Sequence, residues 1–427
     1  MRKLYPTQSL SGALLFSAAV LVLLCGGTTL GQAPEGELSR DFKEPPMEVR
    51  PSGYWWWLYN NVDKASITRD LEEFHDKGLG AVLLVCSGNW SAGKLPSGPA
   101  FLSPEWKELF LHALDEAARL DLKVDMNIAP GWNMGGPWIT PENACRWYLQ
   151  SELTVEGPRS INEKLPLPGV NEGYNDKPQL GVYHQMRVPM EEADYRDTAV
   201  VAFRVSEDAG GDLKTSRADL HKKAARADAN VFVHPEKIMS EPRQPWVNDP
   251  NDVTVAPSAV IDLTKHLAGD GTLNWEVPEG KWIIVRTGHR KTGAKLSVPL
   301  PDQQGLENDF FDRAGVEQMF EYSGKLLAEW AGKHAGTTLR AFCSDSFEAG
   351  YPNWTANLPR HFEKYRGYSM IPYLPVLKGY LVGSAEISDR FLHDYRKTLA
   401  DCMADEHYGR FAELAGEYGI KVRAEPA

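Results

Sequence analysis

The sequence predicts an α/β fold: a (β/α)8 TIM-type barrel, incomplete at its C-terminal end, with an inserted antiparallel β-sandwich module. Three observations lead to this prediction. Apolar segments of strand length alternate with amphipathic helical segments, which is typical of parallel strands covered by helices. Polar or acidic residues follow these strands, where a barrel of this kind holds its catalytic groups. Between residues 151 and 308 the helical period gives way to short alternating runs.

The first 33 residues have the pattern of a secretory signal peptide. Arg2 and Lys3 precede an apolar stretch over residues 13–24, and small residues lead to Ala33. The apolar stretch is too short to remain in a bilayer. We therefore expect release after Ala33 and a secreted or periplasmic protein without a membrane span.

Charge and cysteine content exclude several classes of protein. The chain has 46 Lys and Arg against 58 Asp and Glu, a net charge of −12. Without residues 1–33 the basic count falls to 44, a net charge of about −14, so we expect no nucleic-acid partner. Cys86, Cys145, Cys343 and Cys402 are widely spaced and match no zinc site. Buried free thiols are the default, with one or two disulfides as the alternative.

Residues 34–150 are predicted to form the first part of the barrel. Its strands and helices alternate along the chain. Strands are expected over 53–61, 80–86 and 122–128, and helices over 66–77, 104–120 and 140–148.

The first strand is a run of aromatic residues. Alternation places Trp55 and Trp57 on one face, and Tyr54, Trp56 and Leu58 on the other. Some of these rings belong to the core, which is also the default role of any single tryptophan here. One or two are expected to line a pocket at the end of the strand.

The inserted module occupies residues 151–308. Its short alternating runs are separated by turn-rich polar segments, which predicts antiparallel strands. The runs lie at 199–205, 231–233, 260–263 and 282–287.

Residues 309–427 are predicted to continue the barrel. Helices are expected over 310–333, 357–367 and 384–418. A fourth strand begins at Leu339, and a fifth covers 419–425. Because five strands cannot close a barrel that needs eight, we expect the chain to be a truncated fragment.

The stretch 339–354 contains the strongest functional signal. It begins as an apolar strand and breaks off into Asp345 and Glu348, with Trp354 close behind. Acids beside aromatic rings suit a sugar pocket, since the rings cover C–H groups while the acids bind hydroxyls or carry protons. The alternative is a solvated turn that contains acids.

Several long segments resemble glycoside hydrolase family 106, the α-L-rhamnosidase-like enzymes. They are YWWWLYNNVDKASITRDLEEFHDKGLGAVLL, NIAPGWNMGGPWITPENA, DLTKHLAGDGTLNWEVPEGKWIIVRTGHR and DSFEAGYPNWT, in this order along the chain. The resemblance implies an inverting, exo-acting hydrolase of plant or microbial polysaccharides or glycosides. It also implies a (β/α)8 catalytic domain, an inserted β-sandwich and a calcium ion near the site, whose ligands the sequence does not assign.

The resemblance also implies roles for individual residues. On the DSFEAG match, Glu348 is the general acid, and Asp345 is a second carboxylate that binds a sugar hydroxyl or approaches calcium. Glu425 is the catalytic base, unless the second catalytic glutamate lies beyond Ala427, in which case Glu425 is a substrate or metal ligand. The expected sugar contacts, besides Asp345, are Trp56, Asn60, Asn127, Trp132 and Trp354.

Two other functions remain open at this stage. One is an exo-glycosidase for a different sugar on the same scaffold. The other is a carbohydrate-binding fragment without catalysis, since an incomplete barrel can retain tryptophan-lined sugar affinity.

Overall fold

The structure is a computed structural model, and it describes residues 37–88, 96–168, 194–205, 212–217, 219–225, 244–296, 303–345, 347 and 352–425. The predicted signal peptide and the predicted general acid Glu348 lie outside the described residues. The chain divides into two units, residues 1–46 and 47–427. The first unit contains helix α1 (Glu37–Lys43), and every other element named below belongs to the second.

The secondary structure is mixed α/β. In chain order, the remaining helices are α2 (Lys64–Asp76), α3 (Pro104–Arg119), α4 (Leu220–Lys223), α5 (Arg313–Met319), α6 (Lys325–Ala331), α7 (Leu358–Arg366), α8 (Ala385–Cys402) and α9 (Arg410–Gly416). The strands are β1 (Ser52–Leu58), β2 (Ala81–Ser87), β3 (Lys123–Asn127), β4 (Gly135–Gly136), β5 (Arg146–Lys164), β6 (Arg196–Arg204), β7 (Thr254–Val255), β8 (Ile261–Asp262), β9 (Thr272–Lys291), β10 (Leu306–Glu307), β11 (Leu339–Ser344), β12 (Leu381–Val382) and β13 (Lys421–Ala424).

A five-stranded parallel sheet carries the predicted site. Its order is β1-β2-β3-β11-β13, so the strands lie side by side in the order in which the chain reaches them. The connections between them contain helices, as parallel pairing requires. The five predicted strands are therefore confirmed, with ends that differ from the prediction by a few residues.

Helices pack against one face of this sheet. Trp55 and Trp57 of β1 point to that face, where Trp57 makes an edge contact with Trp106 of α3 at a centroid distance of 5.8 Å. Residues of α2, α5, α6 and α9 complete the same core. The alternation predicted for β1 is confirmed, since Trp55 and Trp57 are buried while Tyr54 and Trp56 are about half exposed.

Local signals place the ends of these helices. Asp63 and Ser66 form a reciprocal capping box at the start of α2, with Ser66 N donating to Asp63 Oδ1 at 2.7 Å. Ser103 caps α3 ahead of Pro104. The sequence therefore fixes the first turn of each helix locally.

The sheet is strongly curved, and its other face is concave. On a flat sheet β1 and β13 would be four spacings of about 4.8 Å apart, or roughly 19 Å. Tyr54 of β1 nevertheless donates a hydrogen bond to Glu425, just beyond β13, at 2.7 Å. Side chains of the two outer strands therefore meet across the concave face.

The inserted segment forms an antiparallel sheet in the order β5-β9-β6-β8. Its two long strands, β5 and β9, contain 19 and 20 residues. The predicted sandwich is not confirmed, because the described residues of the insertion form this single sheet together with short two-stranded pairings.

The helix predicted over residues 140–148 is wrong. Only Pro141–Asn143 form a short 3-10 turn, and β5 begins at Arg146. The reason is tertiary: Arg146 and its successors pair residue by residue with β9, starting at Lys291. Those backbone hydrogen bonds outweigh the local helix signal of Thr140 and Pro141.

The long helix predicted over 384–418 consists of α8, a π-helical turn (Met403–Gly409) and α9.

The four cysteines beyond residue 36 are buried free thiols, as the default interpretation predicted. Within the described residues, no helix combines the length and the apolar character of a bilayer span.

Candidate active site

Two predicted acids lie side by side at the carboxyl ends of neighbouring strands. Asp345 follows β11 and Glu425 follows β13, and these strands are paired in parallel. The backbone N–H of Glu425 donates to the Ser344 carbonyl at 3.1 Å, which extends the pairing to the site. Asp345 is largely buried and Glu425 is exposed. Both carboxylates therefore stand at the edge of the sheet where a barrel performs its chemistry.

Tyr54 connects the first strand to Glu425. Its hydroxyl donates to Glu425 Oε1 at 2.7 Å. This hydrogen bond, together with burial and the charges of Glu425 and Asp345, raises the pKa of Tyr54 to about 12. The phenol therefore stays a donor at neutral pH. It holds one carboxylate oxygen and leaves Oε2 for another partner.

Three aromatic rings gather on the concave face beside these acids. Trp132 meets Trp56 edge-on at a centroid distance of 5.5 Å and Tyr54 at 6.3 Å. Trp132 also packs on Leu83 and Val85 of β2, on the same face. Half of Trp56 remains exposed. The predicted sugar contacts Trp56 and Trp132 thus lie together and next to Glu425.

Asn127 holds the loop that carries Trp132. Its Nδ2 donates to the carbonyls of Gly131 at 2.9 Å and Trp132 at 2.6 Å, and its Oδ1 accepts from Ala129 N at 3.3 Å. The side chain is buried. The structure therefore gives Asn127 a positioning role, because its amide is occupied by the loop that was predicted to form a sugar-binding lip.

Asn60 ends β1 in an unusual backbone conformation. Tyr59 and Asn60 have φ values of 57° and 50°, a pair of left-handed residues held by local turn hydrogen bonds and by backbone contacts with Ser87 and Gly98. The Asn60 Nδ2 donates to the Pro99 carbonyl at 2.9 Å. Its Oδ1 is buried and accepts no hydrogen bond from the described residues. Asn60 thus lies at the correct end of β1, but its side chain is buried.

Trp354 requires a correction. The prediction made it a sugar contact, yet its side chain is completely buried. Its ring lies 4.9 Å from that of Tyr148 and 6.3 Å from that of Tyr395, within the core formed around α7 and α8. A ring enclosed in this way has no free face for a ligand, so we assign Trp354 to the core.

Aromatic packing surrounds Phe347, the residue that precedes the predicted acid in the sequence. Phe347 makes edge contacts with Phe310 at 4.9 Å and Phe311 at 6.3 Å. Phe310 in turn packs against His407 at 4.5 Å. Phe347 is therefore backed by residues that precede α5, and Phe310 links it to His407 of the π-helical turn.

A buried polar cluster, which the sequence did not reveal, lies behind this packing. His361 stands between two carboxylates: its Nε2 is 3.6 Å from Asp312 Oδ2, and its Nδ1 is 3.8 Å from Glu406 Oε1. Arg313 and Lys364 neutralise Glu406. These residues are far apart in the chain, and the only sequence signal was the Asp309-Phe-Phe-Asp312 stretch before α5.

Asp309 is the most perturbed acid of this region. Burial raises its pKa to about 7, with a smaller contribution from the charge of Asp312. Its Oδ1 accepts a hydrogen bond from Phe311 N at 2.8 Å. The group therefore carries a proton in part of the population at neutral pH.

The family resemblance implies calcium, but the described residues do not provide a set of ligands. No three of their His, Cys, Asp or Glu side chains converge in a way that would hold a metal ion. The three buried acids Asp309, Asp312 and Glu406 are engaged with protein donors.

The chain is similar to known proteins over most of its length. The α-L-rhamnosidase model of glycoside hydrolase family 106 matches residues 43–427. A protein of Formosa agariphila described as "Putative beta-glucuronidase" is 33% identical over 392 residues, covering 91% of this chain and 30% of that protein. The structure of the rhamnosidase from Novosphingobium sp. PP1Y is similar with a TM-score of 0.71 and 26% identity, covering 92% of this chain and 47% of that chain.

These matches extend over nearly the whole chain, although the chain spans less than half the length of either relative. The resemblance found in the sequence segments is thereby confirmed. The chain belongs to glycoside hydrolase family 106, the α-L-rhamnosidase family.

Proposed function

We propose that the chain forms part of the catalytic domain of an exo-acting, inverting α-L-rhamnosidase. The observation that carries the proposal is the pair of acids at the ends of β11 and β13, beside the rings of Tyr54, Trp56 and Trp132. Family membership supplies the type of reaction. A terminal sugar would lie on the exposed part of Trp56, with its anomeric carbon toward the acids.

In this mechanism Glu425 is the base and Glu348 the acid. Glu425 Oε2 takes a proton from water, because Tyr54 already occupies Oε1. The water oxygen bonds to the anomeric carbon while the bond to the leaving oxygen breaks, and Glu348 protonates that oxygen. Inverting enzymes place the two carboxyl groups about 6.5–9.5 Å apart to admit the water. Asp345, at the end of the neighbouring strand, binds a sugar hydroxyl.

The proposal extends to the architecture and location. The curved five-stranded sheet with strands in chain order supports five consecutive strands of a (β/α)8 barrel, and the antiparallel sheet supports an inserted β module. The basic and apolar N-terminal pattern supports export and removal of residues 1–33. Calcium remains a proposal drawn from the family, without assigned ligands.

A second substrate class is favoured by one observation. The relative from Formosa agariphila, at 33% identity, is described as a β-glucuronidase. An exo-glycosidase that removes a uronic acid is therefore the alternative, on the same acids and rings.

Hydrolysis assays with single variants test the proposal. We expect cleavage of an aryl α-L-rhamnoside in preference to the matching fucoside, galactoside, arabinoside and β-glucuronide. Glu348→Gln and Glu425→Gln should each lower kcat by about a thousandfold, because each removes one proton-transfer group. Glu363→Gln, at an exposed site on α7, is the matched control and should change nothing.

The outcomes separate the roles. Unchanged activity in Glu348→Gln would remove that residue from the acid role. A higher KM with unchanged kcat in Glu425→Gln would make Glu425 a substrate ligand, and the base would then be another residue. Preferred cleavage of the glucuronide would favour the second substrate class.

A further inference from the structure

A cavity whose lining includes none of the predicted site residues lies between the inserted segment and the elements that follow β11. It measures about 640 Å³. Pro257 contributes from the insertion, Tyr368 and Tyr373 from the segment after α7, and Arg390 and Asp394 from α8. None of these residues belongs to the concave face. Sites for small ligands occur preferentially at junctions of this kind.

Two tyrosine rings form a rigid corner of this cavity. Tyr373 stacks on Phe391 at a centroid distance of 5.4 Å and an interplanar angle of 19°. Tyr368 meets Tyr373 edge-on at 5.5 Å and donates its hydroxyl to Asp394 Oδ2 at 3.0 Å. Both rings remain partly exposed. Because packing and a hydrogen bond already hold these rings in place, they lose little conformational entropy when a ligand binds.

A cationic and an anionic side chain border the rings. Arg390 is exposed, and within the described residues its guanidinium takes part in no ion pair or hydrogen bond. Asp394 supplies a carboxylate, and Ser258 supplies a hydroxyl from the insertion. The positive charge of Arg390 and the negative charge of Asp394 balance, so the residues that line the cavity carry no net charge. Asp394 already accepts from Tyr368 at Oδ2 and faces His393 Nδ1 at 3.5 Å from Oδ1, and its remaining lone pairs can accept from a ligand. Fixed ring faces, a planar donor and a carboxylate acceptor match the C–H faces and hydroxyl groups of a neutral sugar.

We propose that this cavity is an accessory binding site for a neutral pyranose residue of the glycan on which the enzyme acts. The proposal rests on the proposed function for the identity of the ligand, but not for the binding itself. A sugar at this place contacts the Tyr373 ring through its C–H face while Arg390 and Asp394 bind its hydroxyls. The site contributes affinity for a longer glycan and takes no part in bond cleavage.

Saturation-transfer NMR on the whole protein tests this inference without any turnover. The probes are methyl α-L-rhamnopyranoside, methyl α-D-galactopyranoside and methyl β-D-glucopyranoside at millimolar concentrations. Trp56→Ala serves as the background, since it removes the exposed ring of the concave face. In that background at least one probe should still bind, and adding Arg390→Gln should weaken its binding about tenfold, as expected for the loss of a charged donor.

A matched control lies on the same helix. Arg396 also lacks an ion pair within the described residues, but it lines a different cavity with Lys223 and Lys397. Arg396→Gln should leave the binding of all three probes unchanged. Thermal melts of each variant verify that the fold is intact, which is expected for substitutions outside the core.

Three results would overturn the inference: no binding in the Trp56→Ala background, equal binding with and without Arg390→Gln, or equal losses from Arg390→Gln and Arg396→Gln. Its failure is distinguishable from failure of the proposed function. Hydrolysis of aryl glycosides depends on Glu348 and Glu425 and should be the same in Arg390→Gln as in the unaltered protein. If the protein shows no hydrolytic activity but Arg390→Gln still weakens sugar binding, the accessory site is supported and the proposed hydrolase function is rejected.

Discussion

At the scale of single residues, the position of a side chain on the first strand decides its function. Trp55 and Trp57 point to the helices and are buried, whereas Tyr54 and Trp56 point to the concave face. Only the second pair can meet a ligand. Within that pair the tyrosine has the more specific role, because its hydroxyl reaches Glu425 across the sheet.

Tyr54→Phe removes this hydroxyl and keeps the ring. We expect kcat to fall about 10- to 100-fold, because a hydrogen bond to a charged group contributes about 1.5–3 kcal/mol. KM should change little, since the ring still packs against Trp56 and Trp132. Steady-state kinetics on the preferred aryl glycoside give both values. Tyr322→Phe, at an exposed tyrosine, is the control, and an equal effect in both variants would contradict the assignment.

Asp309→Asn tests the buried acid through the pH dependence of stability. Burial raises the pKa of Asp309 from 3.8 to about 7 in the folded protein. An acid whose pKa is raised in the folded protein lowers the stability of the fold as pH rises. The Asp309 carboxyl ionises near pH 4 in the unfolded chain but only near pH 7 in the folded protein. Between pH 5 and 8 the native protein should therefore lose about 2–3 kcal/mol relative to Asp309→Asn.

Urea unfolding of both proteins at pH 5 and pH 8 measures that difference. Asparagine keeps an oxygen that can accept the hydrogen bond from Phe311 N, so the comparison isolates the ionisation. Parallel stability curves for the two proteins would show that Asp309 does not titrate in this range.

At the scale of elements, the loop after β3 depends on one amide. Asn127 makes three hydrogen bonds to residues 129, 131 and 132, and this loop positions the Trp132 ring over the concave face. Asn127→Ala should cost about 1–3 kcal/mol of stability, because it leaves buried backbone groups without partners. KM should rise more than kcat falls, since the loop carries a binding ring and no proton-transfer group.

Kinetics together with a urea melt of Asn127→Ala measure these effects. Asn251→Ala, at an exposed asparagine in the insertion, is the matched control. An unchanged KM alongside a large loss of stability would mean that the loop does not contribute to sugar binding.

At the scale of the whole molecule, the N-terminal segment predicts processing during export. Expression with an intact export pathway should yield a mature protein that begins at Pro34, because small residues precede the expected cleavage after Ala33. Intact-mass analysis of protein from the periplasm or the medium identifies the first residue. Protein that keeps residues 1–33 and stays inside the cell would refute the prediction, and expression of residues 34–427 in the cytoplasm provides the mass standard.

Local pattern was sufficient for much of the fold. Strand-length apolar runs, helical periodicity and capping residues such as Asp63 and Ser103 depend on neighbours in the chain, so the five parallel strands and the helices between them were predictable. The same reasoning failed at residues 140–148, where pairing with β9 outweighed the helix signal. It also failed for Trp354, which α7 and α8 enclose.

The sequence by itself therefore determined the mixed α/β class, the family and the positions of Asp345 and Glu425 at strand ends, because all three are recorded in contiguous segments. Only the tertiary structure decided which polar groups act together. Tyr54 and Glu425 are 371 positions apart, and the cluster around His361 draws on three separate segments. The physical reason is that sheet curvature and helix packing bring such groups together, and neither is encoded in the spacing of any one motif.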